Sequence, residues 1–125
     1  MKIKYSLLLL LFSILSFAQL NSFTVTITQV SNETCPSNGS ISWAVSNTAP
    51  GSVISYNIIN TATNAVVITT SNTMYSGLVS GTYRVVATQT LGNESNQATS
   101  ENVVIANQTV PLVYSTSVNS DEICG

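Results

Sequence analysis

Side chains able to do chemistry are few in this chain of 125 residues: there is no histidine, and there are three lysines or arginines, five acids and two cysteines. Without histidine the commonest general base is missing, and with it the Ser-His-Asp and Cys-His arrangements that activate a nucleophile. Glu33, Glu94 and Glu101 could in principle supply the acid and base of a glycosidase. Each falls in or beside a turn with polar neighbours, however, and solvated turn residues are the expectation. No run of alternating acids offers the oxygen cage that calcium takes. Cys35 and Cys124, with no imidazole to add, fall short of the four ligands zinc requires. Glycine-rich phosphate loops are missing too. The residues therefore point to a protein that is not an enzyme and has no catalytic, cofactor-binding or metal-binding residues.

Aromatic side chains are the remaining source of binding chemistry. Trp43, Tyr56, Tyr75, Tyr83 and Tyr114 have flat apolar bodies with polar tips, and such groups stack on sugar rings when exposed. Trp43 alternates with Ile41 and Val45, which assigns it to a core. Tyr83 follows a turn at Gly81, a position from which a phenol can bond back to upstream backbone. Tyr75 has no such structural assignment and is the candidate ligand contact. Four Asn-x-Ser/Thr sequons begin at Asn32, Asn38, Asn93 and Asn107, as composition alone would produce in a chain this rich in Asn, Ser and Thr.

The elements that must position these residues are strands. In Leu78–Thr90, LVSGTYRVVATQT, the residues Tyr83, Val85 and Ala87 alternate with Thr82, Arg84, Val86 and Thr88 after a turn expected at Gly81. Phe23–Gln29 alternates in the same way, with Phe23, Val25 and Ile27 on one face. Strands are also expected at Ser40–Val45, at Val53–Asn60 with Ile54, Tyr56 and Ile58 inward, at Ala65–Thr70, briefly at Thr73–Tyr75, and at Glu101–Ala106, with turns between them. That makes an all-β chain, an immunoglobulin-like antiparallel β-sandwich of about seven strands.

Ahead of it, Lys2 and Lys4 precede an apolar run from Leu7 to Leu15, and Ser16-Phe17-Ala18 supplies small residues for cleavage. Residues 1–18 thus read as a signal-peptide helix, shorter than the ~20 residues a spanning helix needs. The expected mature start is Gln19, in a secreted or cell-surface protein without membrane insertion after cleavage. Past Lys4, Arg84 is the one cation against Glu33, Glu94, Glu101, Asp121 and Glu122, a balance of 1 − 5 = −4. Nucleic acid and anionic lipid both need several cations, so neither is an expected partner.

The C-terminal residues repeat the beginning. Cys124 lies 89 residues after Cys35 (124 − 35), and at that spacing Glu122 falls on Glu33, Ser120 on Ser31 and Leu112 on Phe23. A sandwich repeat has about this length, so the chain divides into residues 1–18, a sandwich repeat at 19–107, and a linker with the first strand of a truncated following repeat at 108–125. Cysteines at equivalent positions of successive repeats stand about a domain apart, far beyond the ~7 Å between Cα atoms that a disulfide spans. No bridge between Cys35 and Cys124 is expected.

The segments ETCPSNGSISWAV, LVSGTYRVVAT and LGNES, the last before a Val-Ile strand, together resemble the SprB-type repeat of Bacteroidetes surface proteins. The resemblance covers about Val30 to Ala106. It implies a stalk or display domain in a large exported adhesin, with adjacent repeats of the same chain as partners and surface polysaccharide or protein as further ones. That family often carries a second cysteine after the glycine of the late loop; here Gly92 is followed by Asn93, so Cys35 lacks that intradomain partner. The alternative function is a carbohydrate-binding accessory module of a secreted enzyme, which requires an exposed aromatic strip.

Overall fold

The computed structural model describes residues 19–111. The expected signal segment, Tyr114, Cys124 and the expected opening strand of a following repeat lie outside the described residues. Eight strands form: β1 (Thr24–Ser31), β2 (Gly39–Ser46), β3 (Val53–Asn60), β4 (Ala65–Thr70), β5 (Met74–Leu78), β6 (Gly81–Leu91), β7 (Glu94–Thr99) and β8 (Val103–Ile105). No helix is present among the described residues.

Three strands in the order β1-β2-β5 make one antiparallel sheet, and β4-β3-β6-β7 with β8 make the other. β7 lies along the later part of β6, from Val86 to Leu91, and β8 along its start, from Gly81 to Tyr83. β7 and β8 thus act as one edge strand interrupted at residues 100–102, and the architecture is an immunoglobulin-like sandwich.

Alternation decides which residues meet between the sheets. β6 buries Tyr83, Val85, Ala87 and Gln89 and turns Arg84, Val86 and Thr88 outward. Phe23, Val25, Ile41, Trp43, Tyr56, Ile58, Leu78 and Ile105 complete the buried set, with Ile54 and Ile68 packed partly against it. At Gly39 the sheets come so close that an added Cβ would sit 2.7 Å from the Leu78 carbonyl oxygen and 2.8 Å from Ile105 Cγ2. Only glycine fits there.

Three elements differ from expectation. β5 extends to Leu78, beyond the expected Thr73–Tyr75, because Gly39, Ser40 and Ile41 of β2 supply it with partners. The strand expected over Glu101–Ala106 is shorter, and β7 precedes it where a turn had been read from Gly92 to Ser95. The sequence of β7, ESNQAT, is polar because it is an edge strand whose inward Asn96 bonds to a buried amide.

Register also places the points where the described residues enter and leave the sandwich. Thr24 pairs with Ser46 and Ser31 with Ser40, while Gly81 pairs with Ile105 and Leu91 with Glu94. The lead-in residues before β1 therefore sit at one pole, beside the β2–β3 loop and the β6–β7 hairpin. β8 delivers the chain to the opposite pole, beside the β1–β2 loop and the β5–β6 turn.

Candidate functional site

Tyr75 stands in β5 opposite Ile41 and is half-buried, packed against the core. It does not project as a free platform. Trp43 is 3% exposed, and its ring meets Tyr56 edge-on with centroids 5.4 Å apart. Its indole Nε1 is buried without a hydrogen-bond partner, so the side chain is held by volume rather than by polar contact. Burial raises the Tyr56 phenol above its ordinary pKa. Phe23, Trp43, Tyr56 and Tyr83 are buried and Tyr75 is half-buried, so among the described residues no aromatic side chain is exposed.

Tyr83 is 1% exposed and donates its hydroxyl to the Val79 carbonyl at 2.9 Å, spanning the β5–β6 turn. Its pKa is raised, first by burial, with the nearby Glu33 charge adding to the effect and the Asn60 side chain opposing it. Gly81 is not among the glycines with positive φ, which are Gly51, Gly77 and Gly92. Its role differs from the expected turn: an added Cβ would meet the Tyr83 ring and hydroxyl at 3.4 Å, so the missing side chain makes room for the phenol.

Two sequence readings are corrected at the C-terminal pole. Glu33 is not a solvated turn residue; it is 7% exposed. Its Oε1 accepts the Ser37 backbone N–H at 2.9 Å and its Oε2 accepts that of Ser80 at 2.7 Å. These bonds, that from Ser37 foremost, hold the carboxyl below its ordinary pKa despite its burial, because both stabilise the charged form. Nothing in the spacing of Glu33 announces this, since both donors belong to turns that fold brings to it. Glu94 and Glu101 are exposed, as expected of turn residues. Cys35 is the second correction: it is disulfide-bonded, against the expectation of no bridge, and the chain's other cysteine, Cys124, lies outside the described residues.

At the N-terminal pole, Gln89 is fully buried and was not singled out from the sequence. Its Oε1 accepts from the Ala49 N–H at 2.6 Å and the Ser52 hydroxyl at 3.1 Å. Its Nε2 donates to Asn96 Oδ1 at 3.0 Å and to the Asn21 carbonyl at 3.4 Å. The signal was available: Gln89 continues the inward alternation Tyr83, Val85, Ala87.

Beside this hub lies a shallow cleft of about 410 Å³, walled by Gln19, Leu20, Ser22 and Phe23 and by residues 94–97. Among the described residues Glu94 is its one titratable side chain, and no second carboxyl lines the cleft there to divide acid and base roles. No group of three or more metal-ligating side chains occurs among the described residues. Each pole is thus held together by a buried polar side chain, Gln89 at one and Glu33 at the other. Comparisons with protein-family models, with curated proteins and with solved structures find no match.

Proposed function

We propose that the chain is a non-catalytic β-sandwich module of an exported surface protein, a structural or adhesive unit of the kind the SprB-type resemblance implies. The observation that carries the reading is that the described fold is entered at one pole, before β1, and left at the opposite pole, after β8, which lets the module be set in line between neighbours. Adjacent repeats of the same chain are its first partners. The lone carboxyl of the cleft and the absence of histidine fit a module without turnover.

The alternative, a carbohydrate-binding accessory module, lacks its expected aromatic strip among the described residues. Surface proteolysis and biotinylation of intact cells test the main reading. The protein should be labelled from outside, with an intact mass starting at Gln19; retention inside the cell, or a mass keeping residues 1–18, refutes export. Glycan-array binding abolished by Tyr75→Ala would install the alternative instead.

A further inference from the structure

The end of β1 and the C-terminal segment run side by side. Glu33 and Asn107 form a parallel bridge, in which the Glu33 N–H donates to the Ala106 carbonyl at 3.0 Å and the Gln108 N–H to the Glu33 carbonyl at 2.7 Å. A third bond, from the Ala106 N–H to Asn32 Oδ1 at 3.0 Å, reinforces the contact. The Glu33 carboxylate ties the same residue to Ser37 and Ser80. Beyond the bridge, Asn107 Oδ1 accepts both the N–H and the hydroxyl of Thr109, which holds the outgoing turn.

The direction of the strands matters. β1 descends from the N-terminal pole to Ser31, and the segment from Val103 to Asn107 descends the same way. A force drawing the two chain ends apart therefore pulls β1 back toward its own start and the Ala106–Gln108 segment toward the opposite pole. Hydrogen bonds of a ladder lie across the strands, so this pull loads the three bonds at Asn32 and Glu33 sideways and together. The lead-in contacts of Asn21 with Gln89 and Asn96 stand at the far end of β1 and yield first. Load then divides between the bridge and the ladders that hold β1 to β2 and β8 to β6, while the far edge strands β4 and β5 stand off this path.

We infer that the parallel contact of Asn32 and Glu33 with residues 106–108 is a mechanical clamp, which makes the module resist extension from its ends while β4 and β5 carry no load. The inference stands on strand direction and bond placement, whichever neighbour the module has, so export could fail its test while the clamp passes.

Single-molecule force spectroscopy tests it. The full chain is pulled through handles fused at both ends, in reductant so that no covalent bridge shares the load. Asn32→Ala removes one clamp bond, and Gln108→Pro removes the donor to Glu33. Each should speed unfolding at a given force by about tenfold, the effect of one backbone-type hydrogen bond. Ile68→Val on β4, off the load path, should lower equilibrium stability yet leave the unfolding force unchanged. Unaltered force in Asn32→Ala and Gln108→Pro overturns the clamp, as does an equal loss in Ile68→Val. Should Gln108→Pro not fold, Asn32→Ala against Ile68→Val decides alone.

Discussion

Replacing Gln89 by methionine, close to it in length, strips the N-terminal pole of its polar hub while keeping its volume. The four bonds lost are not equivalent. Ser52 Oγ keeps its bond to the Ala49 carbonyl at 2.7 Å, and the Asn21 carbonyl keeps the Asn96 Nδ2 donor at 2.9 Å. The Ala49 N–H and Asn96 Oδ1 have no other bond. Asn96 is partly exposed and can turn to water, which leaves Ala49 N–H as the group stranded beneath the β2–β3 loop. An unsatisfied buried donor costs ~1–3 kcal/mol and each lost bond about 1 kcal/mol net. A buried methionine returns ~1–2 kcal/mol of apolar transfer. The expected loss is ~2 kcal/mol, read as a lower urea midpoint with unchanged slope. Hydrogen exchange at Ala49 should quicken well beyond the global change. Gln89→Glu sharpens the argument, because a carboxylate keeps the bonds from Ala49 and Ser52 but faces Asn96 Oδ1 without a proton to donate. Burial raises the folded pKa of that carboxyl, so its variant should be most stable below the ordinary glutamate value near 4.3 and lose stability as pH rises through the folded value. A Gln89→Met protein as stable as the parent, or a Gln89→Glu protein indifferent to pH, would refute the hub.

Trp43→Ala should cost ~3–5 kcal/mol by calorimetry or urea unfolding, since the indole is buried; a loss under ~1 kcal/mol would mean the site collapses freely. Gly39→Ala should cost ~1–3 kcal/mol through overpacking, because the nearest obstacle is a backbone oxygen at 2.7 Å that cannot swing aside. Glu33, whose folded pKa is lowered from an ordinary 4.5, contributes stability present in full above that value and lost as pH falls through the folded one. Glu33→Gln should therefore flatten the acid side of the stability curve, and an unchanged acid limb would show that the Ser37 and Ser80 bonds do not favour the charged form in solution.

Period-two alternation is sufficient to read β1, β2, β3 and β6 and most of the core, because each has one face on the other sheet and one on solvent. It failed at β7, where the inward position opposite Gln89 is an asparagine and the strand carries no apolar stripe. Tyr83 was legible because a tyrosine after a turn has few other uses. Glu33 was not, because its donors are 4 and 47 residues away and only folding brings them to it. Tyr75 looked unassigned for a similar reason: a five-residue edge strand offers too little pattern to show which face is covered.

Glu33 and Gln89 both sit where hydrophobic packing alone leaves the fold undecided. Between the sheets, burial fixes register, since a slip of one residue would turn Tyr83, Val85 and Ala87 out to water. At the poles the chain turns without apolar side chains to anchor it, and backbone N–H groups of the loops must find acceptors. Gln89 serves Ala49 with an uncharged acceptor that also donates, and so joins a loop to a carbonyl of the lead-in segment. Glu33 faces only donors, Ser37 N–H and Ser80 N–H, for which a carboxylate is the stronger acceptor. The chemistry of each pole follows from that difference: where donors and acceptors are mixed an amide satisfies them, and where donors converge a charge does. Elsewhere the outer faces are tied by neutral pairs, Thr24 with Ser46, Thr69 with Asn57 and Gln97 with Thr88. A surface held by hydroxyls and amides has little for salt to screen, and the carboxylate whose bonds favour its charged form is also the one that sits on the bridge between β1 and the departing chain.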